Sequence, residues 1–517
     1  MQSFLTRHAS EVKGTLSGFD RVRFRGTLRW LANVRGLGAW LCRANVLLKD
    51  FKGYAMGLTE RIKQATHELA ERTGRPIIYL ASSSLRKEDY ARQIAARDGV
   101  AEGLVCVLTA VEPCLTFTVG PSREMKRLEL RRHQGKCLHS YFYVIDPHLG
   151  WLHVRLQTWL PFTVQIVLNG REWLACSLQR QGVAYERRDN CFVDVQDVRR
   201  AQRLLDRQLT SDWPRLLDRL LRQVHGVHRR LFGRERLDYY WSADETEWAT
   251  DVMFRSAAAL TALYPRLVRH ALTSFGSGDV LRFLGKRPAV QQFRAAEILS
   301  HLGARAEGVR VKHALDRNSV KMYDKQGSVL RVETTVNNTR QMKTFRASEK
   351  NPDGPPSWQK LRKGVADLHR RAEISQKSNE RYLDALAAVD STATLGAQAA
   401  EVCRPKRWQG RPVRALNPLA DQDAALVAAV NRGEFALAGF RNRDLRPLLF
   451  GEAASADERR RRMAKVSRLI RLLRAHGLVH KVAKTHRYVV SPQGRETIAA
   501  LLAARAANTQ QLLRLAA

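Results

Sequence analysis

The sequence is short of the features that mark secreted, membrane-spanning or nucleotide-driven proteins. Its seven cysteines, Cys42, Cys106, Cys114, Cys137, Cys176, Cys191 and Cys403, are scattered and odd in number. That argues against a disulfide scaffold and fits a reducing cytoplasm. No apolar run approaches the ~18 residues that a bilayer span needs. The opening residues MQSFLTRHASEVKG lack an apolar core of signal-peptide length. No G-x-x-x-x-G-K-[ST] run occurs, which disfavours a Walker ATPase, and neither Ser82-Ser-Ser84 nor Gly276-Ser-Gly278 is a phosphate loop. Nothing marks a Rossmann dinucleotide site. There is no repeat of solenoid length. Acids are scarce relative to bases: 50 Asp and Glu stand against 88 Lys and Arg, a formal charge of +38 and a pI of about 10.7. A basic excess of this size points to a polyanionic partner, and the preponderance of Arg favours forked contacts to phosphate and guanine. DNA is the first expectation, RNA the second, and no membrane is expected.

With 517 residues and 44% apolar content, the chain is long enough for roughly two to four domains with true cores. The pattern reads as an α/β (α+β) multidomain protein, a mixed or antiparallel sheet body with a helical insertion. Residues 1–225 read as an N-terminal α/β domain, 226–307 as a helical region, and 308–345 as a β-meander completing the body. A long helix follows over 357–390, a linker over 391–420, and a C-terminal module over 421–517. Within the first domain, Arg21–Leu28 reads as a strand and Pro76–Leu80 as a buried strand. Lys87–Arg97 reads as a helix, and Gly103–Val119 as β-structure broken at Pro113. His139–Ile145 and Trp151–Trp159 read as a hairpin, and Gly170–Gly182 and Val198–Leu209 as helices. The meander comprises Val309–Leu315, Ser319–Lys325 and Ser328–Val336.

The C-terminal module has the most specific pattern. Asp421 and Asp423 are placed to cap a helix ending near Gly433, and Asn442 a short one over Arg443–Phe450. A third helix runs from about Ala456 to His476, stopped by Gly477. Met463, Val466, Leu469, Ile470 and Leu473 form its apolar stripe. Its other faces carry Arg459, Arg460, Arg461, Arg462, Lys465, Arg468, Arg471 and Arg474. Leu478–Val482 and Arg487–Val490 make a hairpin with Ala483–His486 at its tip. Upstream, Arg404, Lys406, Arg407 and Arg411 add basic charge. This stretch resembles the winged-helix domain of MarR-type regulators. The resemblance implies a recognition helix in the DNA major groove, with Lys484 and Arg487 of the wing on the backbone. Regulators of that family are little more than this module, whereas here over 400 residues precede it, so a regulatory role does not follow.

The string Ser319-Val-Lys-Met-Tyr-Asp-Lys325, followed by Ser328-Val-Leu-Arg-Val-Glu333, places Lys321, Tyr323 and Lys325 on one strand face. It resembles the K-x-Y-x-K and L-R-x-E segment of rolling-circle replication initiators. That resemblance implies Tyr323 as a nucleophile on a DNA phosphodiester and Lys321 and Lys325 as charge stabilisers, with Mg or Mn as cofactor if the chain is a nuclease and none otherwise assigned. His153 and Gln157 share a strand face, but the usual His-hydrophobic-His triplet is missing, so no metal site is assigned. Cys106, Cys114, His133, Cys137 and His139 have spacings unlike a common zinc finger. Asp146, Glu172, Asp189 and Glu333 are the acids available to a two-metal nuclease. The acidic island Asp244-Glu-Thr-Glu-Trp248 with Asp251 is expected to pair with basic residues in the fold.

The expectation is a cytoplasmic, nucleoid-associated DNA-binding protein serving a mobile element or replicon. The alternatives are a DNA nicking or joining enzyme of initiator or transposase type, dependent on Tyr323 or a metal, and an RNA-binding scaffold of a ribonucleoprotein. For RNA, Tyr141, Tyr143, Trp151 and Trp159 are the candidate stacking residues.

Overall fold

The computed structural model describes residues 1–506 except 82–84, 123, 125–126, 233–234, 236, 276, 286–297, 306–307, 341, 349–350, 388–394, 433–434, 436–438 and 483–484. Ser82-Ser-Ser84, Gly276 and the wing residues Ala483 and Lys484 therefore lie outside the described residues. The chain forms two compact units, Met1–Pro265 with Ser300–Leu383, and Arg266–Leu299 with Asp384–Ala517. Helices and a large mixed sheet give the α+β class expected from the sequence.

The first unit is built on strands β1 (Val12–Leu28), β2 (Ile77–Tyr79), β3 (Gly103–Pro121), β4 (Leu128–Asp146), β5 (Gly150–Gln157), β6 (Val164–Asn169), β9 (Tyr239–Phe254), β10 (Ile298–Arg305), β11 (Gly308–Leu315), β12 (Asn318–Lys325) and β13 (Val329–Val336). Their order in the sheet is β10-β11-β12-β13-β9-β1-β6-β5-β4-β3-β2. Among the pairings described, only β2 with β3 is parallel. A side hairpin, β7 (Tyr185–Arg188) with β8 (Cys191–Val195), stands beside it.

One face of the sheet is apolar. Val22, Phe24, Phe142, Val154 and Ile166 pack there with Leu58 and Ile62 of the helix Phe51–Thr73 and with Leu217 and Leu221 of the helix Trp213–Val224. The second helix buries Trp213, Leu217, Leu220, Leu221 and Val224, a spacing of one helical face. Each such aliphatic side chain contributes ~1.5–3 kcal/mol by leaving water. The opposite face is apolar only at two ends. The helices Gly170–Arg180 and Val198–Leu209 cover Leu16, Met253 and Val329. The helix Lys87–Arg97 covers Cys106, Leu108 and Tyr141. Between these covers the face is charged.

Two bulges make that possible. β1 slips register between Phe19 and Arg21, and again where Arg23 and Phe24 face Glu245 and Ala243 of β9. Asp20 and Asp244 are the extra residues. Arg21, Arg23 and Arg25 are thereby kept on the charged face, together with Asp244, Glu245 and Glu247, while Phe19, Val22 and Phe24 stay in the core.

Several expected elements differ. The expected helical region 226–307 contains β9, a central 16-residue strand, because its acids answer arginines across the ladder rather than water. Ile77–Tyr79 is an edge strand with Tyr79 58% exposed. β3 runs unbroken through Pro113; β2 pairs only with Val107–Thr109, so Pro113 has a bare edge on its far side. The long helix starts only at Leu368. Trp358 lies instead in β15 (Ser357–Lys360), which pairs with β14 (Lys343–Arg346). The supposed linker holds the helix Leu395–Val402 and a short hairpin, Lys406–Trp408 with Arg411–Val413.

In the second unit, helices Asp421–Val430, Asn442–Phe450 and Ala456–Ala475 precede the paired strands Val479–Lys481 and Tyr488–Val490 and the helix Pro492–Ala506. Phe440 bridges Tyr488, adding a third strand position beside the hairpin. Leu426, Val430, Leu445, Val466, Ile470, Leu473, Leu478 and Ile498 form the core.

Candidate nucleic-acid interface

The third helix of this module begins at Ser455, whose hydroxyl accepts the Glu458 N–H, while the Glu458 carboxylate accepts the Ala454 N–H at 2.8 Å. Gly477 (φ 73°) follows its end. Val466, Leu469, Ile470, Leu472 and Leu473 are buried. Met463, assigned above to this stripe, is 50% exposed. It sits at the margin of the stripe, where Asn442 fills the space by donating to the Met463 carbonyl and the Ser467 hydroxyl, both at 2.9 Å. Asn442 is therefore a clip between helices and not the cap of its own; that position is held by Arg441, with Asp444 accepting the Arg441 N–H at 2.8 Å. Asp423 likewise is no cap. It is buried and takes both guanidinium nitrogens of Arg414 at 2.7 Å.

The basic residues of the helix divide into two sets. Arg462 is engaged, donating to Glu458 and, at 2.9 Å, to the Gly451 carbonyl. Arg471 and Arg474 lie over Trp408, 5.8 and 4.8 Å from the ring centre, which seats the Lys406–Trp408 hairpin against this helix. Lys465 lies 4.8 Å over Phe450. Arg459, Arg460, Arg461 and Arg468 are exposed and make no ion pair among the described residues. Arg461, Lys465 and Arg468 form one column at i, i+4 and i+7 on the outward side. Arg404 and Arg407 are exposed beside Trp408, while Lys406 pairs with Glu401 at 3.3 Å. Arg487 lies at the start of the returning strand, half-buried. Trp408 as the seat for two arginines was not read from the sequence; its neighbour Arg407 was the only signal.

The charged sheet face in the first unit holds a cleft of about 550 Å³. Its floor brings together all three residues proposed from the Lys-x-Tyr-x-Lys string. Tyr323 donates to Glu333. Lys321 donates to Glu333 at 2.6 Å and to Glu247 at 3.2 Å. Lys325 bonds Asp189 at 3.3 Å. The walls come from the helix Lys87–Arg97 (Glu88, Asp89, Arg92), from Glu172, and from Arg187, Asp189 and Asn190 of the side hairpin. A neighbouring recess of about 560 Å³ shares Lys321 and Glu247 and continues along Arg23 and Arg25.

Beneath the cleft lies a buried hub. Arg331 forks onto Asp251 at 2.6 and 2.9 Å, reaches Asp20 at 2.9 Å and the Asn190 carbonyl at 2.7 Å. Arg171 reaches Asp251 at 3.0 Å. Burial alone would raise the Glu333 carboxyl, yet Lys321, Tyr323 and Arg331 hold it down at about 2. Burial, reinforced by Glu333, pushes the Tyr323 phenol well above its ordinary value. Burial also raises Asp20, against the pull of Arg331, and raises Glu247, with Glu333 adding to it. Asp20 and Arg171 were not foreseen, and for Glu247 and Asp251 pairing with basic residues was expected but not with which; the partners lie 74 to 311 residues away in sequence.

The acids named for a two-metal centre are each engaged. Glu172 takes Arg187 at 2.5 and 3.1 Å. Asp146 accepts the His148 and Leu149 N–H groups at 2.9 and 3.0 Å. Gln157 donates to the carbonyls of Leu115, Trp159 and Leu160. His153 is lowered to about 4 by burial, then by Arg21. Cys114 and Cys137 have sulfurs 3.2 Å apart, and His139 Nδ1 stands 4.0 Å from Cys137. Cys106 is in an apolar cluster, and His133 is exposed opposite Thr116. Among the described residues, no three His, Cys, Asp or Glu side chains gather with metal-ligand spacing. The acidic island pairs as expected: Arg25 with Asp244 at 2.6 Å, Arg21 with Glu245 at 2.9 Å and Glu247 at 3.2 Å, Arg23 with Glu245 at 3.4 Å. No helix among the described residues is long and apolar enough to cross a membrane. Comparison with protein-family models, curated proteins and solved structures gives no match for this chain.

Proposed function

We propose that this protein binds duplex DNA through its C-terminal module, acting as a winged helix. The observation that carries the reading is the helix Ala456–Ala475, on which Arg459, Arg460, Arg461 and Arg468 stand exposed with no ion pair among the described residues. In the first unit, by contrast, Arg21, Arg23, Arg25 and Arg331 along the sheet face each contact a carboxylate. Four exposed guanidinium groups that form no ion pair among the described residues, on one slim rod, repel each other and attract phosphate. A helix about 10–12 Å across enters the major groove of B-DNA, where Arg forks onto guanine. The major groove of duplex RNA is too deep and narrow for side chains to read, so the same helix favours DNA. Ser455 and Asn442 fix the start of the rod and its seat on the second helix, which preorganises it for docking.

The test is fluorescence anisotropy on a 40-bp duplex over a range of salt. Arg461→Ala with Arg468→Ala is expected to weaken binding by ~1–3 kcal/mol per base-reading contact. For contacts to phosphate only, each loss lowers the salt slope by about one unit. Circular dichroism should be unchanged, since both side chains are in solvent. Unaltered duplex affinity in the double variant would remove the proposal.

A second reading, DNA nicking through Tyr323, is supported by one observation, the hydroxyl hydrogen-bonded to the Glu333 carboxylate, which is placed as a base. Against it stand the raised phenol and the engagement of Lys321 by two acids. A supercoiled-plasmid assay with Mg or Mn is expected to give no nicking by the wild-type chain. Nicked circles that vanish in Tyr323→Phe would establish the enzyme.

A further inference from the structure

We propose that the hairpin β14–β15 is a stacking platform for single-stranded nucleic acid. Its register opposes Phe345 to Trp358 and Lys343 to Lys360. Side chains alternate along a strand, so these four residues share one face. Phe345 is 60% and Trp358 63% exposed, the two most exposed aromatic side chains among the described residues. Their ring centres are 5.6 Å apart with planes at 61°. Lys343 and Lys360 are also exposed, about 7 Å farther along the strands.

The other side of the hairpin shows why it stands up without covering that face. Thr344 is turned inward and buried, and the Leu361 N–H bonds the Met342 carbonyl at 3.0 Å. Met342 and Leu361 pack with Val336 at the end of β13. The hairpin is thus anchored by its root, and its aromatic pair contributes nothing to that core. Two large rings left in water are a standing cost unless something stacks on them.

The neighbouring charge selects the occupant. The aromatic face carries two lysines and no acid, in a chain of charge +38. A base offers a flat π-surface to each ring, and its flanking phosphates meet the lysines. In a duplex those surfaces are already stacked, so an unpaired strand is the better fit. Such a strand arises wherever a duplex held by the C-terminal module is opened, but the platform does not depend on that module.

The full chain carrying Arg461→Ala and Arg468→Ala serves as background, so that the duplex site does not contribute. Binding of fluorescein-labelled oligo(dT) 15-mer and oligo(rU) 15-mer is followed by anisotropy. Phe345→Ala with Trp358→Ala is expected to lower affinity for one or both oligomers by at least about tenfold. Trp358→Phe, which keeps a ring, should retain most of it. In the otherwise wild-type chain, the same alanine pair should leave duplex binding unchanged. Oligomer affinity unaffected by the alanine pair would overturn the proposal. So would an alanine pair that changes only the oligomeric state in light scattering, which would make the face a contact between copies.

Discussion

Arg331 is the residue on which the charged half of the sheet is organised. It is fully buried, yet every strand of the hub sends it an acceptor: Asp251 from β9, Asp20 from the bulge of β1, and the Asn190 carbonyl from the side hairpin. Burying a guanidinium is costly, and two carboxylates offset that cost only while the fork is intact. Arg331→Met keeps the volume and removes the charge, leaving Asp251 and Asp20 without their chief donor. The expected loss is about 3–5 kcal/mol, read from urea denaturation of the variant. Tyr323→Phe should cost far less, since Glu333 keeps Lys321. If Arg331→Met unfolds at the wild-type midpoint, the hub is not the organiser described. Sequence alone offered this arginine only as part of an L-R-x-E string. Its true partners come from positions as far as 311 residues away, and no local pattern marks such pairing.

At the scale of elements, legibility followed how local the deciding physics is. The helices Lys87–Arg97 and Val198–Leu209 and the three meander strands were readable to within a residue or two, because periodicity and turn residues decide them. β9 was missed because the acids Asp244, Glu245 and Glu247, though expected to pair with bases, give no alternating apolar pattern, and nothing local shows that Arg21, Arg23 and Arg25 lie opposite them on a ladder. The hairpin β14–β15 was missed because Trp358 sits at a register where a helix was equally consistent with the sequence. In the C-terminal module the order of helices and strands was legible, but the strand position at Phe440 was not. Gly439 makes that position possible. Its φ is +64°, and a Cβ there would stand 2.2 Å from the Tyr488 carbonyl oxygen. Gly439→Ala should therefore detach Phe440 from Tyr488 and destabilise the module by ~1–3 kcal/mol. A thermal melt of the variant matching that of wild type would contradict this packing.

Over the whole molecule, charge is handled in two opposite ways. The sheet unit pairs its ions: Arg21, Arg23, Arg25, Arg155, Arg187, Lys321 and Arg331 all contact carboxylates. The C-terminal module leaves several of its arginines exposed and unmatched. The composition showed the excess but could not show where it resides, since that depends on which acids fold against which bases. For the three residues of the Lys-x-Tyr-x-Lys string, the sequence placed them correctly on one face and was silent on the carboxylates that occupy them. Those carboxylates have a consequence for anything anionic that enters the cleft. The Lys321 ammonium is held between Glu333 and Glu247, so a phosphate reaching it has to evict one of them. Glu247, whose carboxyl is already raised by burial and by Glu333, would keep, among the described residues, only Arg21 beside it and would be the easier of the two to protonate. Occupancy of the cleft is thereby linked to proton uptake, and anions would be held more tightly as the medium becomes more acidic.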